Sequence, residues 1–353
     1  MIDLNHLKKI KRKHTVDKRN FEFSIRADRN EKVDNWPINI FKKIFKKIKP
    51  HEFTAYYNTS NLIKLNNQIA KFLKVSKENF VINHGGDGVI REFLLLNYKK
   101  NLKVILNGNN YEMYKVYFRA LKIKFFETPY KINLKEKNIF QLDLNYFYKN
   151  LKKCNIIFFT NPNQVSNFDL EKKSIANLCK KYPKKLFFID ESYYGFGHTS
   201  FLNLSKRYKN IFVLRSITKT FGLASSRIGF LVSHSDTIRS YKALQTPYPV
   251  SLFAGKCLEF FLKNIKLVMQ YNRNVQKGRE FFCSNIRKKD YLINDGKSLS
   301  VLVFFKSQKK LNETYNKLFQ NKIYTKKTKI NSLNFLRITC APKNTMKKII
   351  KYF

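Results

Sequence analysis

Short apolar runs alternate with amphipathic stretches between about residue 80 and residue 245. The runs at 80–83, 103–107, 122–127, 155–160, 186–190, 211–216 and 228–233 predict seven strands. Several, such as Leu186-Phe187-Phe188-Ile189-Asp190, are continuously apolar, the pattern of a parallel strand covered on both faces. Apolar residues at helical spacing predict helices over 87–97, 112–121, 175–181 and 235–244, between those runs. Alternating β and α segments imply an α/β sheet of mostly parallel strands with helices on both faces. The seventh run follows the sixth after a short connection and is expected to be antiparallel. Beyond Tyr248-Pro249 a long helical region, 251–287, leads to strands at 298–306 and 333–340 in a smaller α/β layer. The segment 38–48 sets lysine pairs between apolar residues and predicts an amphipathic helix. The expected organisation is an N-terminal segment (1–53) joining the small domain, a large domain (54–250) and a small C-terminal domain (251–353).

Candidate chemistry is densest in Ser216-Ile217-Thr218-Lys219-Thr220-Phe221-Gly222-Leu223-Ala224-Ser225-Ser226-Arg227-Ile228-Gly229. One lysine sits among hydroxyls, with an arginine eight residues on. A lysine condenses with an aldehyde only as a neutral amine, so burial and neighbouring cations must lower its pKa. Hydroxyl donors and a planar guanidinium together suit a phosphate dianion. Upstream, the strand at 186–190 ends in Asp190, at the carboxyl edge where α/β sheets bind ligands. The turn His84-Gly85-Gly86-Asp87-Gly88 opens a helix, whose first amides form an anion site.

In this order and spacing the motifs resemble fold-type I pyridoxal 5'-phosphate enzymes, in particular the histidinol-phosphate aminotransferase-like branch of the class I/II aminotransferases. Ordered matches run from about Arg29 to Thr339. The resemblance implies the aspartate aminotransferase-like fold, a homodimer, and transfer of an amino group between an amino acid or amino-alcohol phosphate and a 2-oxo acid. It makes Lys219 the Schiff-base lysine. Asp190, in Asp190-Glu191-Ser192-Tyr193, becomes the partner of the pyridine nitrogen, and Tyr193 a donor to the ring oxygen. Gly86, Asp87 and Gly88 match the phosphate loop, with Ser216, Thr218 and Arg227 as further phosphate ligands. Tyr111 matches the ring-stacking aromatic. Tyr57, of the pair Tyr56-Tyr57, matches the tyrosine that reaches the partner subunit's cofactor phosphate. Arg337, in Leu336-Arg337-Ile338-Thr339, would grip the substrate's acidic group, and Asn30, in Arg29-Asn30-Glu31, would line the mouth. The family's Pro-Asn-Asn-Pro-Thr-Gly survives only as far as Pro162-Asn163-Gln164. The amide donor to the ring oxygen is therefore Gln164 by register or Asn163 by side-chain type. A decarboxylase of an amino acid or its phosphate would carry the same Lys219, Asp190 and Arg227.

The chain has 353 residues and a net charge of +46. Its lysines are dispersed, and Lys, Asn, Ile, Phe and Tyr are abundant together, as an A/T-rich coding sequence favours. Nucleic-acid binding is accordingly expected to be at most non-specific and salt-sensitive, and a non-catalytic basic protein is the remote alternative. No run of eighteen apolar residues suggests a membrane span, and the N-terminus lacks a secretory apolar core. Five scattered cysteines, without a Cys-x-x-Cys pair, suit a reducing cytoplasm. The six histidines show no metal-ligand spacing.

Overall fold

The computed structural model describes residues 10, 19–136, 139–163, 166, 170–196, 199–294, 296 and 298–353. Seven strands form one sheet, in the spatial order Phe80–His84, Ile228–Val232, Ile211–Ser216, Leu186–Asp190, Ile156–Thr160, Lys103–Asn107 and Lys124–Thr128. Ile228–Val232 is antiparallel to both neighbours. The other adjacent pairs are parallel.

Every residue of Ile156–Thr160 and of Ile211–Ser216 is buried, so these strands carry apolar side chains towards both faces. Alternation along each strand sorts them. Ile157, Phe159, Phe187, Ile189 and Val213 join one core. Phe158, Phe188, Phe212 and Leu214 join another with Phe93 and Phe118. Phe93, on the helix Gly85–Leu96, lies 4.7 Å from Phe188 and 4.9 Å from Phe212, ring centre to ring centre.

A second sheet has the order Ile293–Asn294, Ser300–Phe305, Leu333–Thr339, Lys326–Ile330, antiparallel throughout. A third buried cluster joins its residues Val301, Leu336 and Ile338 to Phe282 and to Met346. These come from the helices Ile265–Arg287 and Lys343–Ile350. Gly278 lets that helix touch the following loop, since a Cβ there would lie 1.9 Å from the Ala341 carbonyl oxygen. Ile25–Arg26 pairs in parallel with Ile323–Tyr324, tying the N-terminal segment to this layer.

Three details differ from the expected pattern. The region 251–287 is two helices, Leu252–Lys263 and Ile265–Arg287, with Asn264 between them outside helical geometry. Its amide side chain donates to the Phe260 carbonyl at 2.8 Å, closing the first helix. The amphipathic helix at 38–48 ends at Phe45. A hairpin, Tyr130–Ile132 with Phe140–Leu142, follows the last large-sheet strand and lacked a sequence signal. Among the described residues no helix is long and apolar enough to cross a membrane. All five cysteines are buried and free.

Candidate active site

Thr160, Asp190 and Ser216 end three adjacent parallel strands, and all three line one cavity at the carboxyl edge of the sheet. Local backbone rules explain how the lysine reaches it. Ser216 caps the four-residue helix Ile217–Thr220 by accepting the Thr218 amide at 3.2 Å. The Ser216 and Thr218 hydroxyl oxygens lie 2.9 Å apart, and both residues line the cavity. Lys219, on the next position, also lines it and is half-buried, its Nζ donating to the Arg29 carbonyl at 3.3 Å. Burial lowers its pKa to about 8; Arg337 and Arg227 push the same way, against Glu31 and Asp87. The neutral amine is thereby accessible near physiological pH.

The anion cradle is built from a helix start and an arginine. Gly85 adopts φ +70°, and a Cβ there would sit 2.8 Å from the Arg227 guanidinium. Gly86 and Asp87 line the cavity at the N-terminus of Gly85–Leu96, where backbone amides lack helical acceptors. Arg227 Nη2 donates to Asp87 Oδ2 at 3.0 Å, and the Tyr111 hydroxyl donates to Asp87 Oδ1 at 3.0 Å. Arg227 is itself left-handed (φ +47°) and keeps about half its side-chain surface exposed.

Asp190 is buried at the cavity floor. Its Oδ1 accepts the Ser192 amide at 2.8 Å and its Oδ2 accepts the Tyr114 hydroxyl. Burial raises its pKa, while the Ser192 side chain, the Tyr114 hydroxyl and the Ser192 amide hold it down. The next residue, Glu191, faces away and is fully buried. It accepts Arg215 Nε at 2.8 Å, and Arg215 lies 4.0 Å over the Tyr194 ring. This buried pair anchors the turn that follows Asp190.

Tyr193 lines the cavity, and its hydroxyl accepts Asn30 Nδ2 at 3.1 Å; burial raises its pKa to about 12. Asn30 is fixed in turn by Thr339, whose Oγ1 accepts the Asn30 amide at 3.1 Å. Arg337, two residues before Thr339, is buried and donates from Nη2 to the Asp28 carbonyl at 2.7 Å. Its Nε has no acceptor among the described residues, and burial lowers its pKa.

Five expected site residues do not line the cavity, namely Asn30, Arg337, Tyr57, Asn163 and Gly88, and one lies outside the described residues. Tyr57 is buried within its own chain, its hydroxyl donating to Glu259 at 2.8 Å and its ring packed on Gly255. Its neighbour Tyr56 is 75% exposed and stacks on Tyr248 at 4.2 Å. Asn163 is buried, and its amide donates to the Gly108 carbonyl and to Thr160 Oγ1, both at 3.1 Å. It therefore braces its own loop instead of lining the cavity. Gly88 does not line the cavity either; a Cβ there would meet Asn83 Oδ1 at 2.5 Å, so its smallness serves packing. Gln164 is outside the described residues. Sequence reasoning missed Tyr114, Thr160 and Arg29. Thr160 carried the same strand-end signal as Asp190, and Tyr114 lies three residues after Tyr111 on one helix face.

An amine of lowered pKa, a phosphate-sized set of cationic, hydroxyl and amide donors, and a buried carboxylate face one cavity. That donor set fits pyridoxal 5'-phosphate, which presents an aldehyde, a phosphate and a basic ring nitrogen, and it defines a pyridoxal-phosphate enzyme. Residues 29–353 match the aminotransferase class I and II family, and the chain belongs to it. Histidinol-phosphate aminotransferase of Clostridium novyi (strain NT) is 25% identical over 97% of this chain and 94% of its own length. The crystal structure of histidinol-phosphate aminotransferase from Sinorhizobium meliloti, in complex with pyridoxal-5'-phosphate, superposes with a TM-score of 0.80 at 16% identity. It covers 93% of this chain and 89% of that one. L-threonine-O-3-phosphate decarboxylase from Porphyromonas gingivalis shares the fold, with a TM-score of 0.74 at 16% identity, over 93% of this chain and 98% of that one. The protein is a pyridoxal-phosphate-dependent aminotransferase.

Proposed function

We propose that the chain moves an amino group between an amino acid or amino-alcohol phosphate and a 2-oxo acid, with Lys219 as the residue that binds the cofactor covalently. The observation that carries this reading is the Lys219 amine, of lowered pKa, in one cavity with Asp190 and Arg227. When bound, the cofactor supplies an aldehyde that condenses with amines and a protonated ring that draws electrons from the adjacent carbon. Arg227, Ser216, Thr218 and the amides at Gly86 and Asp87 would hold its phosphate. Asp190 would keep the ring nitrogen protonated, Tyr193 would donate to the ring oxygen, and Tyr111 would cover a ring face. Lys219 Nζ would serve as the base and then the acid for the proton at the substrate Cα. A pKa near 8 suits both halves of that transfer.

The buried Arg337, whose Nε has no acceptor among the described residues, supports an acidic group on the substrate. The named relatives make histidinol phosphate the first donor to try. A panel of amino donors with 2-oxoglutarate tests the reading; carbon dioxide release without amino transfer would replace it with a decarboxylase. Arg337→Met is expected to raise KM for the preferred donor about 100-fold with a smaller change in kcat, since the substrate's anionic group would lose its buried cation. An unchanged KM would remove Arg337 from the substrate site.

A homodimer belongs to the same proposal. Phe45 and Phe53 are exposed beside Phe253, at 4.8 Å and 6.0 Å between ring centres. With Tyr57 bound to Glu259, Tyr56 becomes the member of the pair free to reach a partner subunit. Size-exclusion mass at physiological salt is expected at twice the 42.1 kDa chain. Phe253→Glu is expected to shift it towards the monomer. A wild-type chain running as a monomer would end this part of the reading. The division at residues 53 and 250 and a cytoplasmic location complete the proposal, the latter supported by five unpaired cysteines.

A further inference from the structure

We propose that Tyr114 is a positioning residue for Asp190, fixing the orientation and the charge of the carboxylate that faces the cavity. The inference rests on Asp190 being the partner of the cofactor's ring nitrogen. Tyr114 lies on the helix Glu112–Ala120 and is fully buried. Its ring is held by Phe158 at 5.4 Å, Phe118 at 6.4 Å and Tyr111 at 6.1 Å, so the hydroxyl has little freedom to turn away. That hydroxyl donates to Asp190 Oδ2, while the Ser192 amide takes Oδ1. Each carboxylate oxygen thus has one fixed donor, and the carboxylate plane is pinned at the end of its strand.

The charge argument is separate. Burial alone favours the protonated acid, and hydrogen bonds to the anion oppose that preference. The Ser192 donors, side chain and amide, both belong to the turn that follows Asp190. The Tyr114 hydroxyl is the donor that comes from a separate element of the fold, and its own proton is held firmly, because burial and the Asp190 charge raise its pKa well above that of a free phenol. A buried tyrosine needs some acceptor in any case. Here the acceptor is the carboxylate of the cavity floor instead of a nearby carbonyl.

Apo-protein titrated with pyridoxal phosphate, followed by the long-wavelength absorbance of the bound cofactor, tests the proposal. The variants are Tyr114→Phe, Asp190→Ala and the double variant, each checked for wild-type folding by circular dichroism. Tyr114→Phe keeps the ring packing and is expected to weaken binding on the order of tenfold, the scale of one charge-assisted hydrogen bond. In the Asp190→Ala background the same change is expected to have no further effect. Equal losses in both backgrounds, or none in either, would overturn the proposal by making Tyr114 a packing residue. If Asp190→Ala itself binds the cofactor as wild type does, the assignment of Asp190 fails, and the role of Tyr114 falls with it. As a second measurement, a cofactor analogue with carbon in place of the ring nitrogen should bind wild type and Tyr114→Phe alike. A persisting tenfold difference with that analogue would overturn the proposal independently.

Discussion

In Lys219→Ala, amino transfer is expected to fall by roughly 10⁴-fold, the upper range for removing a positioned proton-transfer group, and the long-wavelength band of the bound cofactor should vanish. No other amine is placed to substitute among the described residues of the cavity lining, where the remaining cations are the guanidinium groups of Arg29 and Arg227. The pH dependence gives an independent check. Lys219 has its pKa lowered from 10.5 to about 8, chiefly by burial, so capture of the aldehyde by wild-type apo-protein should rise as pH passes through about 8. The linkage sign follows. Between about 8 and 10.5 the unfolded chain binds more protons at this site than the folded one, so this group makes stability rise with pH across that window. Below about 8 the folded protein carries a poorly solvated ammonium, and Lys219→Ala removes that cost. The apo-variant should therefore melt no lower than wild-type apo-protein at neutral pH, while losing activity. Activity surviving in Lys219→Ala, or a loss matched by unfolding, would contradict the assignment.

The legible part of the structure was the part written as apolar runs. Continuous runs such as 156–160 and 211–216 can be buried on both faces only in a covered sheet, and their carboxyl ends carry Thr160, Asp190 and Ser216 to one edge. Asp190, Lys219 and Arg227 were legible because each belongs to a motif whose spacing is set by one turn. What sequence could not show was the destination of side chains with two competing options. Tyr57 had a carboxylate, Glu259, and a glycine surface, Gly255, waiting on the helix Leu252–Lys263, some two hundred residues away. Asn163 found acceptors in Gly108 and Thr160, on neighbouring strand ends. The Glu191–Arg215 pair reads as two surface charges until adjacent strands bring both inside.

Asp190→Asn is expected to lower amino transfer by about 10²- to 10³-fold, the scale of losing one preorganised electrostatic contact. The substitution keeps the size of the side chain. The introduced carboxamide would still offer an oxygen to the Ser192 amide or to Tyr114, but not to both, and its NH₂ would bring a donor where a protonated ring nitrogen needs an acceptor. Asp87 cannot compensate, because Arg227 and Tyr111 already hold its two oxygens. Stability should move the other way. Burial raises the Asp190 pKa, so the folded state holds this proton more tightly than the unfolded chain does. The stability from that preference is full below the ordinary carboxylate range and is lost as pH rises through the elevated value. Above that elevated value the ionised carboxylate is thus a net cost to the fold, and the neutral amide relieves it. A variant melting at or above the wild-type temperature with a crippled rate is the expected result, measured by calorimetry of the apo-protein beside steady-state transfer. A full rate in Asp190→Asn would show that the cavity's charge is supplied from elsewhere.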